Sequence, residues 1–305
     1  MSEGAVTAPR PFPTPRPSAG SRLAAWFRNP WAKARFLWVV AIAYILWTLL
    51  PVIIAIAFSF NGGRSLVTWQ GFSTQWYSGN PSSVFDDPAL RSALLQSFKL
   101  AGLTVLIAVP LGVAFALSLD RWRGRGTGTA NFLMLFSFIT PEIAIGIALF
   151  LFVTQLATGL GVGFTSQVLG LSMYMMAYPV IVVRARLLSI GKEFEEAAMD
   201  LGASPIGAIR RVLLPLLAPA ILASVAIVFA ASIDNFVISS NLCLDQSCQT
   251  VPILIYTSAR RGPLPSVNAL ATLTLVSSTI VIGLAVLFYR RFTRGEKNTG
   301  IGSLA

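Results

Sequence analysis

The sequence contains no histidine. That absence removes Ser-His-Asp triads, histidine-ligated zinc, the HExxH arrangement and most haem ligation in one step. No GxxxxGK[ST] stretch occurs either, so the chain has no loop of that kind to cradle nucleotide phosphates, and any ATP hydrolysis connected with it belongs to a partner. Charge is scarce: Asp, Glu, Lys and Arg make up 11% of 305 residues, against about 25% in ordinary soluble domains. Cysteine occurs only twice, as Cys243 and Cys248.

What fills the space is hydrocarbon. Hydrophobic residues are 55% of the chain and the mean hydropathy is +0.71. They come in runs of roughly 20, the length a helix needs to cross a bilayer core. Six spans are expected, at about 36–58, 93–119, 131–156, 167–183, 216–238 and 269–289. Pro110, Pro141-Glu142 and Pro179 fall inside the second, third and fourth. The fold class is therefore an all-α membrane protein with six transmembrane helices, its membrane domain covering 36–289 and carrying long polar loops at 59–91 and 239–267.

The net charge of +11 would raise nucleic acid as a partner in a soluble chain. No nucleic-acid motif accompanies it, and the basic residues sit beside the apolar runs instead. Of 23 Lys and Arg, 18 fall in residues 1–35, the loop DRWRGRG, the stretch 184–211 and the tail 290–305. The positive-inside rule places these segments, and both termini, in the cytoplasm. Residues 1–35 read as a disordered basic tail rather than a cleaved signal peptide: the apolar run starts late, is too long and lacks a clear cleavage site. Residues 290–305 form a second cytoplasmic tail. By the same topology Cys243 and Cys248 lie in an external loop, where four intervening residues allow a small disulfide ring or leave two free thiols.

The stretch EEAAMDLGASPIGAIRRVLLP, Glu195 to Pro215, interrupts the hydrocarbon with acids, glycine and proline. Glu193, Glu195 and Glu196 suit the positive end of a helix. Gly202 breaks that helix, and Ser204-Pro205 opens a second one, with Ser at the N-cap and Pro at the first position. The second helix is expected to run through IGAIRRVLL and meet Pro215 at the membrane surface, giving a helix–turn–helix on the cytoplasmic face over 189–215. A plainer reading is an amphipathic loop on headgroups, with Arg210 and Arg211 on lipid phosphate.

The spacing Glu196-Ala197-Ala198, Gly202, Val212, Leu214, Pro215 resembles EAA-x3-G-x9-I-x-L-P, the signature of binding-protein-dependent ABC importer permeases, with Val in the Ile place. The resemblance covers most of the chain after residue 35. It is closest to the spermidine/putrescine (PotC-type) branch in SFNGGRSLVTWQGFSTQWYSG, TPEIAIGIAL, SIDNFVISS and VPILIYTSARRGPLPSVNALATL. The Cys243–Cys248 loop and the Pro/Arg-rich N-terminus depart from that branch. The resemblance implies the type I ABC importer permease fold in a bacterial inner membrane. It also implies a coupling segment seated on a cytoplasmic ATPase dimer, through Glu196, Ala197, Ala198, Leu201, Gly202, Ala203, Ser204, Pro205 and Pro215. Further implied partners are a second permease subunit (a different, PotB-like chain), an extracytoplasmic polyamine-binding protein and membrane lipid. ATP and Mg would be bound by the ATPase, with no cofactor and no metal in this chain.

Only Glu142 and Asp234 are acids within expected spans. Such groups are costly in hydrocarbon and turn toward a bundle interior or a wet cavity. Asp234, followed by Asn235 and Phe236, is the leading candidate for a path that accepts a cation, against an interhelical structural bond. Glu142 follows Pro141 and either joins the path or satisfies backbone groups freed at a kink. Tyr174, Tyr178 and Phe236 offer cation–π faces or simple packing. Lys99 reads as snorkelling to the outer surface. Trp69, Trp76 and Tyr77 dock the binding protein or sit at the membrane interface. Three alternatives stand beside polyamine import. The same machine could carry an aminophosphonate, opine or metal ion, an intramembrane enzyme could use Glu142 and Asp234 as paired carboxylates, or the chain could be a passive channel.

Overall fold

A computed structural model of the chain describes residues 35–121, 124, 126–261 and 264–298. Residues 1–34 of the expected basic N-terminal tail, three residues of the basic loop after Asp120 and the end of the C-terminal tail lie outside the described residues. Among the described residues the structure is helical, with one isolated bridge between Asn61 and Phe72 and no strand.

Helix α1, Arg35–Phe58, belongs mostly to a first compact unit that ends at Ile53. Its mean hydropathy over Leu37–Phe58 is 2.6 and its large side chains are exposed, as lipid-facing residues are. The second unit begins at Ile54. It contains α2 (Pro88–Arg121), α3 (Thr127–Ile139), α4 (Glu142–Leu151, prolonged by a π turn to Leu156), α5 (Phe164–Met175) and α6 (Ala177–Ile190). Then follow α7 (Glu193–Asp200), α8 (Pro205–Ala208), a π turn Ile209–Leu213, α9 (Leu214–Ile233), α10 (Val237–Asn241), α11 (Val251–Arg261) and α12 (Pro265–Asn298).

Among the described residues five helices are long and apolar enough to cross a membrane: Leu37–Phe58, Pro88–Arg121, Phe164–Ile190, Pro205–Ile233 and Pro265–Arg291. The expected third span is instead two helices, α3 and α4, meeting at 107°. Thr140 and Pro141 are both extended there, with ψ near 130°. A residue before proline is pushed out of the helical region, and proline brings no N–H to continue the ladder.

The centre of the second unit is α2, which packs against α5, α6 and α9. Hydrocarbon offers no hydrophobic drive for helix pairing, so close packing of small residues does the work. Ala101, Ala108 and Ala116 are fully buried on α2. At Gly112 an added Cβ would lie 2.4 Å from Pro179 Cγ on α6. The core around them is filled by Leu100, Val113, Leu171, Met175, Val183, Leu213, Leu217 and Val228.

Three boundaries differ most from the sequence expectation, and the first is the fourth span, which continues to Ile190 rather than about 183. The fifth span ends at Ile233, not 238, so Asp234 and Asn235 stand in a break between α9 and α10. The helix that begins at Pro205 does not stop at Pro215 either: it runs without interruption to Ile233. A π turn just before Pro215, closed by Leu214 N–H to Ile209 O, loosens the ladder where proline cannot donate.

Candidate functional site

The polar stretch folds into a hairpin whose turn is specified locally. Helix α7 ends in a Schellman pattern: Gly202 N–H donates to Met199 O at 2.9 Å and Ala203 N–H to Ala198 O at 3.0 Å. This places Gly202 at φ +87°, in the left-handed region that glycine alone enters without strain. Ser204 Oγ accepts from Gly207 N–H at 3.1 Å, capping α8, and Pro205 takes the first helical position.

Each end is satisfied within the hairpin, so its tip is free to present side chains outward. Leu201 is 90% exposed and Ile206 78%, with Met199 and Phe194 also exposed. Glu196 and Ala197 are exposed as well, while Ala198 and Ala203 are half-buried. Glu195 behaves differently from its neighbours: it is buried and paired with Arg121 at the end of α2.

A second polar cluster lies at the broken helices. The Glu142 carboxylate, in the first turn of α4, accepts a hydrogen bond from Asn235 Nδ2. Asn235 Oδ1 in turn accepts from Ile238 N–H at 3.2 Å and Ser239 N–H at 3.3 Å, capping α10. One buried asparagine therefore holds both breaks together. Close packing supports it, since a Cβ on Gly146 of α4 would meet Asn241 Nδ2 at 2.9 Å. Asp234 beside it is exposed and makes no hydrogen bond or ion pair among the described residues. The two acids thus have separate situations and form no hydrogen-bonded carboxyl pair. Tyr174 stands within electrostatic reach of Tyr178 and Glu142. Phe236 instead packs on Tyr256 of α11, ring centroids 4.8 Å apart, with the Arg260 guanidinium 4.7 Å above the Tyr256 ring.

At the opposite end of α2 from the hairpin, Cys243 and Cys248 are joined by a disulfide, their Cα atoms 5.5 Å apart. The enclosed loop is anchored from several helices. Gln167 Nε2 donates to Ser239 O at 2.8 Å and to Cys248 O at 3.1 Å, and Gln96 Nε2 donates to Ser247 O at 2.5 Å. Asp245 accepts from the Ser247 hydroxyl and N–H, which holds its carboxyl below the ordinary range. A groove of about 610 Å³ opens beside this loop, lined by Asp87, Ser92, Gln246, Gln249, Thr257 and Ser266, among others. In the preceding loop Trp76 is buried, its Nε1 donating to Asn61 O at 2.6 Å, and Tyr77 bonds Ser59. Only Trp69 of that aromatic trio is exposed.

Sequence reasoning missed the partners rather than the residues. Glu195–Arg121 and Glu142–Asn235 join positions 74 and 93 apart, and no local pattern announces such pairs. Among the described residues no cluster of ligating side chains could hold a metal ion.

The comparisons with known proteins bear on this architecture. Residues 108–294 match the family described as binding-protein-dependent transport system inner membrane component. The chain is 33% identical over 251 residues to the spermidine/putrescine transport system permease protein PotC of Escherichia coli K12, covering 82% of this chain and 92% of that one. It is 32% identical to the putrescine transport system permease protein PotI of the same strain, covering 80% and 88%. A solved bacterial ABC transporter involved in import of the acidic polysaccharide alginate shares the fold. Its TM-score is 0.66 at 16% identity, covering 88% of this chain and 99% of that one.

Proposed function

This chain belongs to the binding-protein-dependent transport system inner membrane components, and from that premise we propose that it is the transmembrane permease subunit of an ATP-driven polyamine importer. The observation that carries the coupling role is the hairpin around Gly202. It is locally rigid and it presents Leu201 and Ile206 to whatever lies beneath the membrane. Exposed apolar knobs on a rigid turn fit a groove on a partner protein, and the small Ala197, Ala198 and Ala203 let that partner approach closely. Spermidine and putrescine are the cargo because the polyamine permeases are similar to this chain over four-fifths of its length.

The remaining assignments follow. The chain crosses a bacterial inner membrane six times, counting the bent α3–α4 pair as one crossing, with both termini in the cytoplasm. It hydrolyses nothing itself; a separate ATPase dimer binds ATP and Mg. A second, different permease chain completes the pathway, and an extracytoplasmic binding protein delivers cargo at the disulfide side. ATP-driven closure of the ATPases moves the hairpin and turns the cavity outward, and hydrolysis resets it.

For a cationic substrate the division of labour between the acids matters. Asp234 is the free carboxylate that offers charge to a passing ammonium, and Tyr174 offers an aromatic face near Glu142. Glu142 and Asn235 keep the broken helices in place, and Phe236 with Tyr256 forms an aromatic shelf on the external side.

The test is ATP hydrolysis by the chain assembled with a second permease, an ATPase and a binding protein. Spermidine and putrescine should stimulate it, and a panel of unrelated solutes should not. Stimulation by an aminophosphonate, opine or metal ion alone would keep the machine and overturn the cargo.

A further inference from the structure

The second arm of the hairpin continues into α9, and among the described residues an ion pair ties its first arm to α2. Of the acids in the first turn of α7, Glu193 and Glu196 are exposed and Glu195 alone is buried. Its carboxylate accepts from the guanidinium of Arg121, the last residue of α2. The two side chains are only 25% and 11% exposed. A pair so shielded from water is screened far less than a surface pair, and removing Arg121 strands the Glu195 carboxylate, whereas Arg121 also has the Asp120 carboxylate at 3.3 Å.

Helix α2 is a single element from Pro88 to Arg121, and its other end is held as specifically. Gln96 Nε2 donates to Ser247 O, inside the disulfide-closed loop. Ser97 Oγ accepts from the N–H of Val251 at 2.8 Å, where α11 begins. From residue 96 to residue 121 a helix rises ~37 Å, more than the ~30 Å of a hydrocarbon core. Between those ends the helix has little slack even at Pro110, because Gly112 lies too tightly against Pro179 for a methyl group to fit.

We propose that α2 is a strut that carries displacement of the hairpin across the membrane to the disulfide loop, and that Arg121–Glu195 is the joint by which the motion enters it. The inference rests on the reading that the hairpin seats on an ATPase. Van der Waals packing resists compression and gives way when pulled. An ion pair also resists separation, so this joint works on both strokes of a transport cycle. Arg121 and Glu195 are positioning residues: they touch neither cargo nor nucleotide.

The experiment uses the whole assembly in lipid nanodiscs, with R121Q, E195Q and the exchange R121E/E195R beside the unaltered chain. ATPase subunit retained and hydrolysis with and without loaded binding protein are measured together. Both single variants should retain the ATPase and its unstimulated hydrolysis. Their stimulation by loaded binding protein should fall about tenfold, within the usual range of coupling between distant sites. The exchange should recover most of it. Single variants stimulated as fully as the unaltered chain would overturn the joint, and so would variants that shed the ATPase, which would make the pair a mere brace of the hairpin. An unaltered assembly that retains no ATPase would overturn the reading beneath the inference, and the joint with it.

Discussion

The chain interrupts its hydrocarbon in two ways, and they end differently. At Glu193–Pro215 the interruption satisfies itself: the Schellman turn at Gly202 and the Ser204 cap use only residues within a few positions of one another. The turn itself requires nothing else in the chain, although Glu195 behind it pairs with Arg121, so the tip stays open, with Leu201 and Ile206 facing out. At Pro141 and Asp234–Asn235 the interruption is completed from afar, because Asn235 must reach Glu142 on another helix. There Asn235 is buried and Glu142 half-buried, while Asp234 beside them is exposed. A polar break that closes locally becomes a surface for a partner. One that closes through a distant side chain becomes part of the core. The first kind should be sensitive in function and tolerant in stability; the second should lose both together.

Gly202→Val is the largest expected break in this comparison. A β-branched residue at φ +87° is strained by roughly 1–3 kcal/mol, and the turn must distort to relieve it. Polyamine uptake should fall to background while the amount of chain in the membrane, followed by immunoblot, stays close to normal. Asn235→Leu comes next and should behave in the opposite manner. It leaves the Glu142 carboxylate and the N–H groups of Ile238 and Ser239 without partners, costing on the order of 3 kcal/mol. Thermal unfolding of the purified assembly should drop clearly, with uptake falling in parallel. Glu142→Gln keeps an oxygen for Asn235 and should lose much less. Ser204→Ala is the smallest. It removes one helix cap worth about 1 kcal/mol, and uptake should decline by less than about twofold with thermal unfolding lowered by no more than about 2 °C.

The same contrast explains what could be read before any coordinates. The hairpin was legible because its determinants are local: acids at a helix start, Gly202 at its end, and Ser204-Pro205 opening the next helix. Even there the sequence misjudged Pro215, because a π turn lets the helix carry on past a proline. Apolar runs gave the spans, but Pro141 announced an interruption without revealing a bend of 107°. Asp234 and Asn235 looked like residues inside a helix since no proline or glycine marks the break after Ile233. What ends α9 there is the cap and cross-link supplied by Asn235 and Glu142, which lie 93 positions apart. Glu195 was read with its neighbours as a helix-dipole acid; only the fold brings Arg121 to it. The aromatic loop shows the same limit, with Trp76 buried by a bond to Asn61 and Trp69 left outside.

The most direct measurement is site-specific photo-crosslinking in the intact assembly, with a benzophenone side chain placed at Leu201, at Ile206 and, on the disulfide loop, at Leu244. All three positions are more than 70% exposed, so accessibility does not favour any of them. The account predicts adducts with the ATPase subunit from Leu201 and Ile206 and none from Leu244. ATPase adducts from Leu244, or their absence at both hairpin positions in an assembly that hydrolyses ATP, would contradict it.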